Sequence, residues 1–378
     1  MELSIEIVGS LADVDAVAWD ALVDAHDPFM EHGFLRLMET SGSVGTAESG
    51  WLPRHVLVKR DGALVAAMPM YLKDNSYGEF IFDFGWAQAA MRAGLEYYPK
   101  LVCAAPFTPA GARRLLVRPE DAAELTPVLI AAAHEIAKRE QASSFHVLFC
   151  TGDESERLSA LGLHARQSTQ YHFEHDGSLK TFDDFSGALR NSSRKNVRKE
   201  REKAHSYGLT LSMRRFDELG PRELSAMWSF YRSTIRNHGS QTYLRRGFFD
   251  GLVTNPHAYA ALAHDGDEPV AGALFFFKGH SLFGRYWGST RDYPMLHFEL
   301  CYYLPMEWGL AHGMRRFEAG AQGEHKIKRG FLPNTCHSVH WAAHPGLDRA
   351  IGDFVEREAD YVDREQEMLA ESTPFKRG

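Results

Sequence analysis

Cysteine is scarce and scattered. The 378 residues contain four, Cys103, Cys150, Cys301 and Cys336, and none forms a CxxC pair. That pattern excludes a disulfide framework and a cysteine-based zinc site, and each thiol is expected as a small buried apolar group. No stretch approaches the roughly 18 consecutive apolar residues of a membrane helix. The N-terminal MELSIEIVGSLADVD has no cationic segment leading into an apolar core, so no secretory leader is read there and a cytoplasmic location is expected. Positive charge is lacking overall: the net charge is −8, which argues against a protein dedicated to duplex nucleic acid. A GxSxG elbow, a P-loop and a GxGxxG after a strand are all missing, so hydrolase, NTPase and dinucleotide-binding readings have no motif behind them.

What is present is an ordinary globular composition, 44% hydrophobic and 24% charged, on a chain long enough for two domains. The charge is uneven. Between 190 and 203, Arg190, Arg194, Lys195, Arg198, Lys199, Arg201 and Lys203 face only Glu200 and Glu202. Such a stripe can hold a polyanion on an otherwise acidic surface.

Hydrophobic periodicity and turn signals predict alternating strands and helices. Strands are expected at 54–59 and 63–70 around Asp61-Gly62, a strong hairpin signal, and at 79–84. A helix opens at Pro119 and runs to 138, followed by a strand at 144–149 and a short helix at 154–161. In the second half, strands are expected at 169–174 and 209–214, with one long basic helix at 182–207 and an amphipathic helix at 221–237. Further strands fall at 259–263, 269–277 and 281–287. The 57–86 and 262–289 segments share the order strand, Asp-Gly turn, apolar strand, polar turn, aromatic strand, which suggests a duplicated unit. A helix at 296–312 must kink or divide at Pro305. Strands at 315–318 and 336–341 precede a terminal helix at 347–369, and the 371–378 tail is expected to be mobile.

The densest chemistry lies after the 315–318 strand. Gly320, Gly323 and Gly330 punctuate a loop carrying Gln322, Glu324, His325, Lys326 and Lys328. Ligand sites favour the carboxyl ends of strands, and glycines allow close backbone approach. A carboxylate, an imidazole and cations there could deprotonate an amine and stabilise the oxyanion of an acyl transfer. Arg285, Trp287 and Ser289 on the aromatic strand, and Tyr98, Lys100 and Thr108 in a long irregular stretch, are candidate pocket residues. His337 and His340 alternate on a strand and point apart, so no metal site is expected.

These residues resemble the Fem family, aminoacyl-tRNA-dependent transferases with twin GNAT-type (acetyltransferase-like) domains. The basic helix from Leu189 to Lys199, Trp287-Gly288-Ser289, Phe317-Glu318-Ala319-Gly320 and Lys328-Arg329-Gly330-Phe331 carry the resemblance. Gly320-Ala321-Gln322-Gly323-Glu324-His325-Lys326 and Tyr98-Pro99-Lys100 with Pro106-Phe107-Thr108-Pro109 resemble the Fem-like N-acyltransferase branch. The resemblance implies an α/β fold of two tandem GNAT-like domains, mixed twisted sheets flanked by helices, placed at 1–165 and 166–378. It implies transfer of an aminoacyl or acyl group onto an amine of a small molecule or peptide. Glu324 or His325 would take the amine proton, and Lys326 or Lys328 would stabilise the oxyanion or anchor the carrier's phosphates. Arg285, Trp287, Ser289, Gln322, Tyr98, Lys100 and Thr108 would line the acceptor site. No long coiled-coil arm and no Gln/Arg-x-x-Gly-x-Gly/Ala pyrophosphate loop is present, so the co-substrate stays open between aminoacyl-tRNA, on the 190–203 helix, and acyl-CoA. A catalytically silent module recognising a cell-wall peptide or precursor is the alternative.

Overall fold

The structure, a computed structural model, describes residues 2–237, 242–320 and 323–376. The chain divides into two compact units, 1–169 with 335–365 and 170–334 with 366–378. A single cut near 165 assigns 335–365 to the second half; by compactness that segment lies with the first.

In the first unit, Leu3–Val8, His55–Arg60, Ala63–Met68 and Leu116–Val117 form an antiparallel sheet in that order. The Asp61-Gly62 turn joins its central pair, with positive φ at both residues as a tight hairpin turn requires. A second set of strands pairs residues 337–342 with Ser144–Cys150, then Lys100–Cys103, Met70–Lys73 and Leu52–Pro53. The helix Ala122–Arg139 lays Leu125, Leu129, Ala133 and Ile136 against Val56, Val58, Leu101, Phe145 and Val147, all buried. That i, i+4 spacing buries one stripe of the helix and makes the core of the unit.

The expected strand at 79–84 does not form. Phe80 takes φ +62°, a left-handed value no strand tolerates, and the helix Phe84–Arg92 follows. The 57–86 and 262–289 repeat therefore holds for the hairpins but not for the third, aromatic strand.

In the second unit the strand order is Thr210–Arg215, Ala258–Asp265, Glu268–Lys278, Ser281–Ser289, Arg316–Glu318 and residues 170–174. The helix Pro221–Asn237 packs across it, and two glycines permit the approach. Gly272 and Gly288 are directly paired. A Cβ on Gly288 would lie 2.2 Å from the Phe230 carbonyl oxygen, and one on Gly272 would lie 2.6 Å from Met227 Sδ.

Two expectations in this unit are corrected, and the division expected in the 296–312 helix is found. The 182–207 helix is two helices, Phe182–Ala188 and Asn191–His205, because Leu189 and Arg190 are extended. Their backbone meets the tail instead: Arg190 N–H donates to Pro374 O at 2.8 Å, Lys376 N–H donates to Ala188 O at 3.0 Å, and Leu189 bridges Phe375. The described part of the tail is thus held in place, not loose. The 296–312 helix runs as Leu296–Phe298, a π-helical turn Glu299–Tyr303, and Leu304–Ala311. Pro305 has no N–H to give to Cys301 O, and the widened turn accommodates its ring just where a regular helix would clash.

Candidate active site

The strand Ser281–Ser289 pairs in parallel with Arg316–Glu318 over three residues only, ending at Phe283↔Glu318. Its pairing with Glu268–Lys278 shifts register between Leu274 and Phe275, leaving Arg285 as the extra residue of a bulge. A bulge bends and twists a strand, and bulges gather beside active sites. The paired register of the two strands ends there, and the chains stay close just beyond it: a Cβ added to Gly284 would lie 3.6 Å from Ala319 Cα and 3.7 Å from Glu318 O.

Beyond Glu318 the chain turns on Gly320 (φ +87°) and Gly323 (φ +116°) into a 3₁₀ turn, Glu324–Arg329, which stops at Gly330 (φ +95°). Within this turn the side chains divide. Lys326, Ile327 and Arg329 are buried, Lys326 to 3% exposure and Arg329 to 6%. Glu324, His325 and Lys328 are exposed. The expected grouping of acid, imidazole and two lysines in one enclosed space is thus corrected to a single inward lysine. Lys326 Nζ donates to Gly320 O at 2.7 Å. A Cβ on Gly320 would lie 3.9 Å from Gly284 O and 4.0 Å from Lys326 Nζ. The ammonium, the strand end and the bulged strand converge at that point. Burial lowers the Lys326 pKa from 10.5 to about 8.

His325 Nε2 sits 3.1 Å from Tyr302 Oη. Its pKa is lowered by desolvation first and by the Arg329 and Lys326 charges next, so the ring is neutral and able to accept a proton at pH 7. It packs over Gly323: an added Cβ there would lie 2.4 Å from His325 Cε1. Tyr302 belongs to the π-helical turn, and its neighbour His297 packs edge-on to Trp287 with centroids 5.2 Å apart. Burial pushes His297 down to about 4.

The other sequence candidates fall in three groups. Arg285, on the bulge, is half-buried with its guanidinium 5.4 Å from the Tyr286 ring centroid, and burial lowers its pKa. Trp287 is half-buried, and its carbonyl accepts from Thr234 Oγ1 at 2.6 Å. Ser289 Oγ donates to Arg291 O at 2.9 Å, a local turn bond. Gln322 lies outside the described residues.

Tyr98, Lys100 and Thr108 belong to the first unit. Lys100 is fully buried, and its ammonium donates to Ser76 Oγ at 2.9 Å, to Glu79 Oε2 at 2.8 Å and to Asp83. Burial alone would raise Asp83; the Lys100 charge, the His146 ring and the hydrogen bonds from Lys100 and Ser76 together outweigh it and hold the carboxyl at about 2. Lys73, paired in register with Lys100, lies 3.9 Å from the Trp51 ring centroid, and burial lowers its pKa to about 7. Tyr98 Oη is 2.8 Å from Ser76 Oγ, and Thr108 Oγ1 donates to Pro106 O at 2.9 Å. Lys100 and Thr108 are thus engaged by partners inside the unit.

The basic helix is likewise partly committed. Arg190 Nε donates to Phe375 O, and Arg194 Nη2 to Leu189 O. Arg201 pairs with Glu299 at 2.9 Å and Glu307 at 2.6 Å. A surface groove of about 470 Å³ lined by Arg194, Lys195, Arg198, Arg201, Phe182 and Val197, among others, runs beside it.

Sequence reasoning missed Glu200, Tyr302 and the inward role of Arg329. Arg329 was visible in the Lys-Arg-Gly-Phe motif, but nothing local marks Glu200, whose carboxylate accepts from Arg329 Nη2 at 2.7 Å, as its partner. Among the described residues no group of three or more His, Cys, Asp or Glu side chains could hold a metal, and no helix is long and apolar enough to cross a membrane.

The fold is α/β and comprises two GNAT-like domains. The chain belongs to the FemAB-like family of peptidoglycan biosynthesis and recognition, whose profile matches residues 10–377. Among solved structures it is similar in fold to FemX (15% identity, TM-score 0.56, 93% of this chain and 100% of that chain). It is also similar to the C-terminal domain of a putative lysylphosphatidylglycerol synthetase from Agrobacterium fabrum (10%, 0.56, 90% and 95%) and to L-PGS from Bacillus licheniformis (10%, 0.54, 95% and 99%). No curated protein matches the chain in sequence.

Proposed function

We propose that this chain is an N-acyltransferase that moves an activated aminoacyl or acyl group from a carrier onto an amine, forming an amide. The observation that carries the reading is the buried Lys326 ammonium, presented just past the last residue pair of the parallel strands beside Gly320 O. The acceptor nitrogen attacks the donor's ester or thioester carbon. Lys326 stabilises the resulting oxyanion, which a donor held in a dewatered site does far better than water. His325 takes the amine proton, and the carrier's oxygen or sulfur leaves with the bonding pair and is reprotonated. Arg285 and Trp287 border the acceptor site on the bulged strand.

Membership of a peptidoglycan biosynthesis and recognition family favours an aminoacyl-tRNA donor and a cell-wall precursor amine. The exposed part of the basic helix, Lys195, Arg198, Lys199 and Lys203, supplies a contact for the carrier's phosphates. The enzyme acts in the cytoplasm, where such donors are made. Incubating the protein with aminoacyl-tRNA or acyl-CoA and amine-bearing muropeptides, followed by mass spectrometry, tests this. The expected result is an acceptor heavier by one acyl residue. Binding of muropeptide with no product from any donor would favour a recognition module instead.

A further inference from the structure

The 3₁₀ turn that presents Lys326 is six residues long, and such helices rarely sustain themselves beyond three or four. Something outside it must fix its shape. Arg329, the last residue of the turn, donates Nη2 to Glu200 Oε1 at 2.7 Å and Nε to Glu200 Oε2 at 3.1 Å. This is a two-bond fork, the strongest and most directional form of an ion pair. Glu200 stands on the helix Asn191–His205 and also accepts the Tyr303 hydroxyl from the π-helical turn. The guanidinium lies 3.4 Å from the Phe298 ring centroid. Its remaining nitrogen, Nη1, donates back to His325 O at 2.7 Å. The Glu200 carboxylate, itself held by the Tyr303 phenol, and the Phe298 ring thus fix the guanidinium that binds the backbone of the residue immediately before Lys326.

That grip opposes a real tendency. An ammonium on a flexible stem gains by swinging out to water. We infer that Glu200 and Arg329 are positioning residues, a clamp that holds the Glu324–Arg329 turn closed so that Lys326 stays turned in toward Gly320 O. The clamp rests on the proposed role of Lys326 only for its meaning in catalysis; as geometry it stands without it. It also explains an acid in the middle of the basic stripe: Glu200 faces the turn.

The test reads Lys326 directly and needs neither donor nor acceptor. Competitive labelling with acetic anhydride across pH 6–11, resolved by peptide mass spectrometry, gives the apparent pKa and reactivity of Lys326, with exposed Lys328 as internal standard. The groups facing Lys326 are His172 on the strand His164–Glu174, His297 and Cys301 on the 296–311 run, and His325 and Arg329 on its own turn. None of these is altered in the variants. In the native protein Lys326 is expected to titrate near 8. In Glu200→Gln, which keeps shape but removes the charge, its apparent pKa moves at least one unit toward the ordinary 10.5, while Glu202→Gln on the exposed face of the same helix leaves it in place. Tyr303→Phe, which deletes one bond to Glu200 and keeps the ring, gives a smaller shift in the same direction and serves if Glu200→Gln unfolds. A folded Glu200→Gln or Tyr303→Phe protein in which Lys326 still titrates near 8 overturns the clamp, as does a native Lys326 that titrates near 10.5. If labelling shifts as expected but the Glu200→Gln enzyme turns over normally, the clamp stands and the catalytic role of Lys326 fails.

Discussion

Lys326 Nζ lies 2.7 Å from the carbonyl oxygen of Gly320, two residues past the last register pair of the parallel strands, Phe283 and Glu318. A lysine 3% exposed with one close acceptor is an expensive arrangement, and its consequences can be measured in both activity and stability.

Activity should follow a bell in pH. On the acid side His325 must be neutral, and its pKa lies below 6.5 because of desolvation and the Arg329 and Lys326 charges. On the alkaline side Lys326 must be charged, and it loses its proton at about 8. The kcat/KM profile should therefore rise below pH 6.5, level near 7 and fall through 8. A profile that climbs through pH 8 would mean that neutral Lys326 is the base.

Stability should move the other way. The folded-state pKa of Lys326 is depressed, so between about 8 and 10.5 the unfolded chain holds the proton more tightly. Its contribution is most favourable above pH 10.5 and is lost as pH falls to 8. Lys326→Met removes that cost at pH 7 and should raise stability by about 1–3 kcal/mol, read from denaturant midpoints. Its turnover should fall roughly 100- to 1000-fold, as when an oxyanion donor is deleted.

Two glycines should respond differently to alanine. Gly288→Ala puts a methyl 2.2 Å from Phe230 O, a backbone atom that cannot step aside, and should destabilise the second unit by about 3 kcal/mol or more in thermal unfolding. Gly323→Ala collides with the tip of the His325 ring at φ +116°. It should cost about 1–3 kcal/mol of strain and displace the imidazole, so its activity loss should approach that of His325→Ala.

Lys100→Met should act on folding. It removes the ammonium shared by the nearly fully buried Glu79 and Asp83 carboxylates, leaving Glu79 with Lys73 at 3.6 Å and Asp83 with the Tyr97 hydroxyl at 2.7 Å, and removing one partner of a buried ion pair costs about 3–5 kcal/mol. Circular dichroism should show the first unit melting early. A stable Lys100→Met protein with only a raised KM would support the ligand role expected from the sequence.

Local signals explain what was legible. Asp61-Gly62 and Gly266 marked their hairpins because a tight turn demands left-handed backbone there. Pro119 and Pro221 marked helix starts, and the glycines around 320–330 marked the site because only they allow its turns. What escaped reading depends on distant partners. The 79–84 segment alternates like a strand, but Lys100 draws Glu79 and Asp83 inward and bends it out of register. The break at Leu189–Arg190 needs the tail at Pro374–Phe375, roughly the length of the second unit away. Periodicity could not tell that Lys326, not Glu324 or Lys328, faces inward, because a 3₁₀ turn places every third residue on one side, and it is Arg329's hold on Glu200 that sets which side.

The most direct measurement compares amide formation by native protein and by Lys326→Met, each shown to be folded, with aminoacyl-tRNA or acyl-CoA as donor and muropeptide amines as acceptors. The account predicts a mass increase of one acyl group on the acceptor with the native protein and about a hundredth or less of that rate with the variant. Equal product from both proteins would contradict it, since the inward ammonium would then have no part in the chemistry.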